Sequence, residues 1–126
     1  MKSLLAIVEQ GGYPDFTHFY ESLGYKVVVA SSMRKGLGLL KTLKPDVITA
    51  EFIYSPMYSA RISNLESLFA SLQRQDLQPN LLIFIEKDQL HHLQKLEAGE
   101  LNISTCCYPV TQNDINQLLS QEPLHY

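Results

Sequence analysis

The sequence predicts an α/β fold in which a parallel sheet is wound on both faces by helices. Five apolar, partly β-branched runs recur along the chain, at residues 3–8, 26–30, 46–50, 81–85 and 103–107. Most of these runs are continuous rather than alternating, which suits strands covered on both faces. A helical pattern follows each run, and every crossover is long enough for a right-handed strand–helix–strand unit.

The helices are legible in turn. Phe16, Phe19, Tyr20 and Leu23 fall at i, i+3, i+4 and i+7; Pro14 and Asp15 open that helix and Gly24 closes it. Met33, Leu37, Leu40 and Leu43 form a second stripe, with Ser31 or Ser32 as N-cap and Lys44-Pro45 as the stop. Ser63-Asn64-Leu65-Glu66 has the form of a capping box ahead of a third stripe, Leu65, Leu68, Phe69 and Leu72. Leu90, Leu93 and Leu96 mark a fourth helix ending near Gly99. Thr111-Gln112-Asn113-Asp114 caps a fifth that carries Ile115, Leu118 and Leu119.

Composition narrows the function classes. The 126 residues fit one domain, and 45% apolar content is that of a globular chain. Ten basic against 13 acidic residues leave a net charge of −3, which argues against a nucleic-acid or anionic-membrane surface. No apolar run approaches the ~18 residues that cross a bilayer, and Glu9 cuts the N-terminal greasy stretch too short for a signal peptide. Adjacent Cys106 and Cys107 cannot frame a disulfide scaffold; two reduced thiols fit a cytoplasmic protein.

Open sheets of this kind work beyond the carboxyl ends of their strands, which nominates Glu9-Gln10, Ser31-Ser32, Glu51, Ile85-Glu86 and Tyr108-Pro109. Other motifs carry little. Gly36-Leu37-Gly38 sits inside the second helix, and Gly11-Gly12 follows the first strand without a phosphate loop of known spacing. His91 and His92 are adjacent on a helix and should point apart. Cys106 and Cys107 alternate sides of a strand as packing residues.

Four segments make the chain resemble a response-regulator receiver domain from residue 3 to about 121. Ile7-Val8-Glu9-Gln10 stands where the family has a strand ending in an acidic pair. Lys44-Pro45-Asp46-Val47-Ile48-Thr49-Ala50-Glu51 resembles the strand that leads to the phospho-accepting aspartate. Leu96-Glu97-Ala98-Gly99 resembles the end of the fourth helix, and Tyr108-Pro109-Val110-Thr111-Gln112-Asn113-Asp114-Ile115 the junction of fifth strand and fifth helix. The resemblance implies a flavodoxin-like (βα)5 sandwich with a five-stranded parallel sheet in the order 2-1-3-4-5, a domain over residues 1–121 and a tail over 122–126. It also implies a cis bond between Tyr108 and Pro109.

The chemistry departs from the family's. A receiver uses an aspartate nucleophile, two more acids for Mg²⁺, a Ser/Thr for the phosphoryl group and a lysine to pair with it. Mg²⁺ wants close octahedral oxygen ligation, and phosphoryl transfer rests on positioning and charge neutralisation. Here Gln10 replaces one acid of the pair, and Glu51 replaces the nucleophile with a side chain one methylene longer. Ile85 stands at the hydroxyl position (Glu86 if the register slips by one) and Tyr108 at the lysine position. The stretch 52–62 is longer than the family's loop, and Pro56 lies one residue further on than the family's proline.

The resulting expectation is a pseudo-receiver: Glu9, Gln10, Glu51, Ile85, Tyr108 and Pro109 form a degenerate phosphoacceptor pocket with no cofactor and no catalytic residue. Glu51 is read either as a charged mimic of the activated form or as a solvated acid at a strand end. Glu9 and Glu51 are weak candidates for a residual divalent site, and the Tyr108 hydroxyl is a candidate to reach Glu51. Tyr54, Met57, Tyr58 and Tyr108 form an expected partner surface. The implied role is a bacterial signalling adaptor that binds a partner protein of its pathway or a second copy of itself, without nucleic acid or membrane. Two alternatives stay open: a receiver with weak Mg²⁺-dependent phosphoacceptance, and a flavin- or nucleotide-binding module in the same crevice.

Overall fold

The computed structural model describes residues 1–54, 63–96 and 98–120. Five strands, β1 (Lys2–Ile7), β2 (Tyr25–Ala30), β3 (Val47–Glu51), β4 (Asn80–Ile85) and β5 (Asn102–Cys107), alternate with five helices, α1 (Thr17–Ser22), α2 (Met33–Leu43), α3 (Leu65–Arg74), α4 (Leu90–Leu93) and α5 (Gln112–Leu119). Every strand pairing is parallel, and the sheet order is β2-β1-β3-β4-β5. The fold class and strand order expected from the sequence are those observed.

Two apolar layers arise from the two-residue period of the strands. Leu5, Ile7, Ile48, Ala50, Leu81 and Ile83 pack with Leu40 of α2 and with Leu68 and Leu72 of α3. Their neighbours Leu4, Ala6, Val47, Leu82 and Phe84 turn the other way, to Phe16, Tyr20 of α1 and Ile115 of α5. Residues 81–85 of β4 are buried throughout, which is why that run reads as continuous rather than alternating. Edge strands β2 and β5 are only partly covered. Cys106 and Cys107 divide between the two layers as expected; both are free, and burial pushes the Cys106 thiol up to about 11. None of the described helices is long and apolar enough to cross a membrane.

Helix starts follow the sequence closely. Ser32 Oγ accepts from the Lys35 amide at 3.1 Å, and Thr111 with Asp114 forms a complete capping box on α5. The expected box on α3 is rearranged. Glu66 Oε1 accepts from the Ser63 amide at 2.7 Å, but Ser63 Oγ takes the Leu65 amide instead of closing the box. α1 begins at Thr17, whose amide and hydroxyl both donate to Asp15 Oδ1, and those two bonds hold the Asp15 carboxyl below its usual range.

The fourth helix is shorter than its leucine stripe suggests. A 3₁₀ turn, Lys87–Gln89, precedes α4, and after Leu93 the chain winds on through Lys95 N–H to His92 and Leu96 N–H to Leu93. A stripe at spacing three, Leu90-Leu93-Leu96, fits three residues per turn as well as 3.6, so it marks the buried side without fixing the helix type.

Candidate functional site

The site grows from the parallel register of β1 and β3, which pairs Leu4 with Val47, Leu5 with Ile48 and Ala6 with Thr49. Their carboxyl ends therefore emerge side by side. Val47, Thr49 and Glu51 share one side of β3 by the strand period, the side facing α1. Glu51 is thus directed beneath the loop that leaves β1, and it is 2% exposed.

That loop closes on the carboxylate. The Gln10 amide donates to Glu51 Oε1 at 2.8 Å and the Glu9 amide to Oε2 at 3.1 Å. The Gly11 amide is shared between both oxygens at 3.3 Å. Three consecutive N–H groups aimed at one point form an anion nest. Gly11 has φ +72° and Gly12 φ +85°, a left-handed backbone that glycine adopts without a side-chain penalty. The fourth donor is the Tyr13 hydroxyl, 2.7 Å from Oε2. The Tyr13 ring meets Phe84 edge-on at 5.0 Å, and Phe84 is the β4 partner of Glu51 in the ladder. Burial first, and then the bond to Glu51, hold the Tyr13 hydroxyl protonated far above the usual tyrosine range.

A second knot fixes Glu9. Asn64 Nδ2 donates to Glu9 Oε1 at 2.8 Å and to the Glu51 carbonyl at 2.7 Å, while its Oδ1 accepts from the Ile53 amide at 2.8 Å. The two acids proposed as a weak divalent pair are therefore neighbours with separate partners: Glu51 in the loop amides, Glu9 on Asn64. Among the described residues no group of three His, Cys, Asp or Glu is placed to hold a metal ion.

Several expectations change. The solvated reading of Glu51 is overturned, because the loop amides and Tyr13 replace water around it. The hydroxyl that reaches Glu51 belongs to Tyr13, not Tyr108. Ile85 does not face the crevice; its side chain is fully buried in the α2–α3 layer, and Glu86 lines the opening instead. His91 and His92 do not point apart: their ring centroids lie 3.9 Å from each other. The His92 ring also stacks on Tyr54, with ring centroids 3.9 Å apart. The expected cis bond between Tyr108 and Pro109 is present.

Above the buried carboxylate lies an open cleft of about 620 Å³. Tyr13, Phe52, Tyr54 and Tyr108 supply aromatic walls, with Gln10, Gln89 and Pro109 also at its edge. Burial, then the negative charges of Glu51 and Glu86, push the Tyr108 hydroxyl up to about 12. Of the expected partner surface, Tyr54 and Tyr108 both line this cleft, while Met57 and Tyr58 lie outside the described residues. Tyr54 pairs with Ser63 in an isolated antiparallel bridge.

Sequence reasoning missed Tyr13 and Asn64 and undervalued Gly11. The available signal was Gly11-Gly12 directly after the first strand: two residues free to take positive φ where the loop must turn over a strand-end acid.

No protein-family model matches the chain. Nor does any curated protein match it by sequence. Solved structures do resemble it in shape. The chemotaxis protein CheY4 of Vibrio cholerae superposes with a TM-score of 0.73 at 17% identity, over 94% of this chain and 96% of that one. A response-regulator receiver domain protein from Clostridium thermocellum gives 0.68 at 18% identity, over 94% and 91%. The receiver domain of the Francisella response regulator 1452 gives 0.63 at 21%, over 93% and 94%. At these identities the likeness establishes the receiver-type fold.

Proposed function

We propose that this chain is an atypical, non-enzymatic receiver-like signalling protein that works through phosphorylation-independent contacts with another protein or a second copy of itself. One observation carries the reading: the Glu51 carboxylate is buried and bonded to three loop amides and the Tyr13 hydroxyl. A receiver's acid must instead be open to a phosphoryl donor and share a divalent cation with its neighbours. Here the positive ends of the amide dipoles occupy the space beside the carboxylate, which repels a cation and holds an anion. The protein supplies that anion itself. Gln10, Ile85 and Tyr108 likewise offer no second metal carboxylate, no phosphoryl-binding hydroxyl and no cation.

Glu51 in this arrangement fixes the β1–α1 loop in one state. A signalling role then rests on recognition at the surface around Tyr54 and Tyr108, and the paired free thiols accord with work in the cytoplasm. The test is to add Mg²⁺ with beryllofluoride, a phosphoryl mimic, and record amide spectra. Unchanged signals at residues 9–11, 51 and 86 are expected. Saturable shifts there would overturn the reading in favour of residual phosphoacceptance. Flavin or nucleotide absorbance in the purified protein would favour the small-molecule alternative.

A further inference from the structure

We propose that the cleft over Glu51 receives an arginine side chain presented by a partner protein. This deepens the adaptor reading and rests on it for the partner, but it stands on separate observations. The first is aromatic supply. Tyr13 and Tyr108 lie side by side, ring centroids 6.2 Å apart at 30°, and both are only half-buried. Tyr54 and Phe52 wall the same opening. Neutral tyrosine rings attract a cation to their faces, and a planar guanidinium stacks on them better than an ammonium.

The second observation is charge. Glu86 lines the cleft and is exposed, and none of the described residues lining it is Lys, Arg or His. The fields of Glu51 and Glu86 both reach the Tyr108 hydroxyl and oppose its ionisation. Glu51 has its lone pairs taken by the loop, so its charge contributes at a distance without being a ligand. No side chain of the described residues bonds the Glu86 carboxylate, which can accept a forked pair of N–H bonds, the geometry that a guanidinium presents. The third is shape. About 620 Å³ is roomy enough for a long side chain and its flanking backbone, and the opening is at the surface, where a protruding loop can enter.

The experiment titrates the intact chain with a short, capped glycine peptide carrying one central arginine, and with its citrulline counterpart, which has the same shape and no charge. Ring signals of Tyr13, Tyr54 and Tyr108 and the amides of Glu86 and Gln89 report binding. Saturable shifts from the arginine peptide alone, weakening as salt rises, are expected. Glu86→Gln and Tyr108→Leu should each weaken binding about fivefold, with Tyr108→Phe close to the unaltered protein. Equal shifts from the citrulline peptide, no saturation, or an unchanged affinity in Glu86→Gln would overturn the proposal. Agmatine binding as tightly as the peptide would overturn the protein source of the cation. The two readings fail separately: beryllofluoride shifts with intact arginine binding sink the adaptor reading alone. Silence to both reagents sinks the arginine site alone.

Discussion

The hydroxyl of Tyr13 donates to Oε2 of Glu51 at 2.7 Å, joining residues 38 positions apart. Together with the amides of residues 9–11 it surrounds the acid at the end of β3 with donors. A buried carboxylate without such partners would be costly; with them it becomes the anchor of the loop.

Removing either partner should therefore cost stability. Tyr13→Phe loses one charge-assisted bond, about 1.5–3 kcal/mol, and Glu51→Gln turns an amide group toward N–H donors, about 3 kcal/mol. Urea unfolding of both single variants and the double variant should give a coupling of at least about 1 kcal/mol. Simple additivity would show that the two residues do not act together.

Alkali should weaken the fold before it would weaken an unburied set of tyrosines. Burial raises Tyr108 and Tyr20 to about 12 and Tyr13 further. An unfolded tyrosine ionises near pH 10, so the folded form holds its protons more tightly. The resulting stability is complete below about pH 10 and is lost as pH rises from there through the folded values. Urea midpoints should fall over that window, with tyrosinate absorbance appearing late. Tyr13→Phe should flatten the fall.

Gly36 lets α2 approach β1. A methyl group built there meets Ile7 Cδ1 at 2.7 Å and Cγ1 at 2.9 Å, and Ile7 is fully buried. Helix propensity favours alanine by about 1 kcal/mol, while overpacking a closed core costs about 1–3 kcal/mol. Gly36→Ala should therefore destabilise by about 1 kcal/mol in chemical denaturation. Ile7→Val, which removes Cδ1, should cost less in the Gly36→Ala background than alone. A stabilised Gly36→Ala would mean that the contact is loose.

The same G-x-G illustrates what could be read in advance. Its place within a helix was legible, because Met33, Leu37, Leu40 and Leu43 set the register. Its contact with Ile7 was not, because that depends on how far α2 sinks toward the sheet. Glu51 was legible as a strand-end residue, yet its burial was not. A carboxylate at that position is solvated or enclosed according to where the next loop runs. Ile85 was placed at the right strand end and on the wrong side, since a run buried on both faces carries no alternation to orient it.

By itself the sequence determined the strands, the helix stripes, most of the caps and the parallel sense of the sheet, while the strand order was what the resemblance to receiver domains implied. These depend on periodicities and bonds within a few residues, which any short window displays. Only the tertiary structure decided which groups meet at the acid of β3. Tyr13, Asn64 and the loop amides converge there because parallel register and two positive-φ glycines fold distant segments onto one point, and no local pattern encodes a bond across 38 residues.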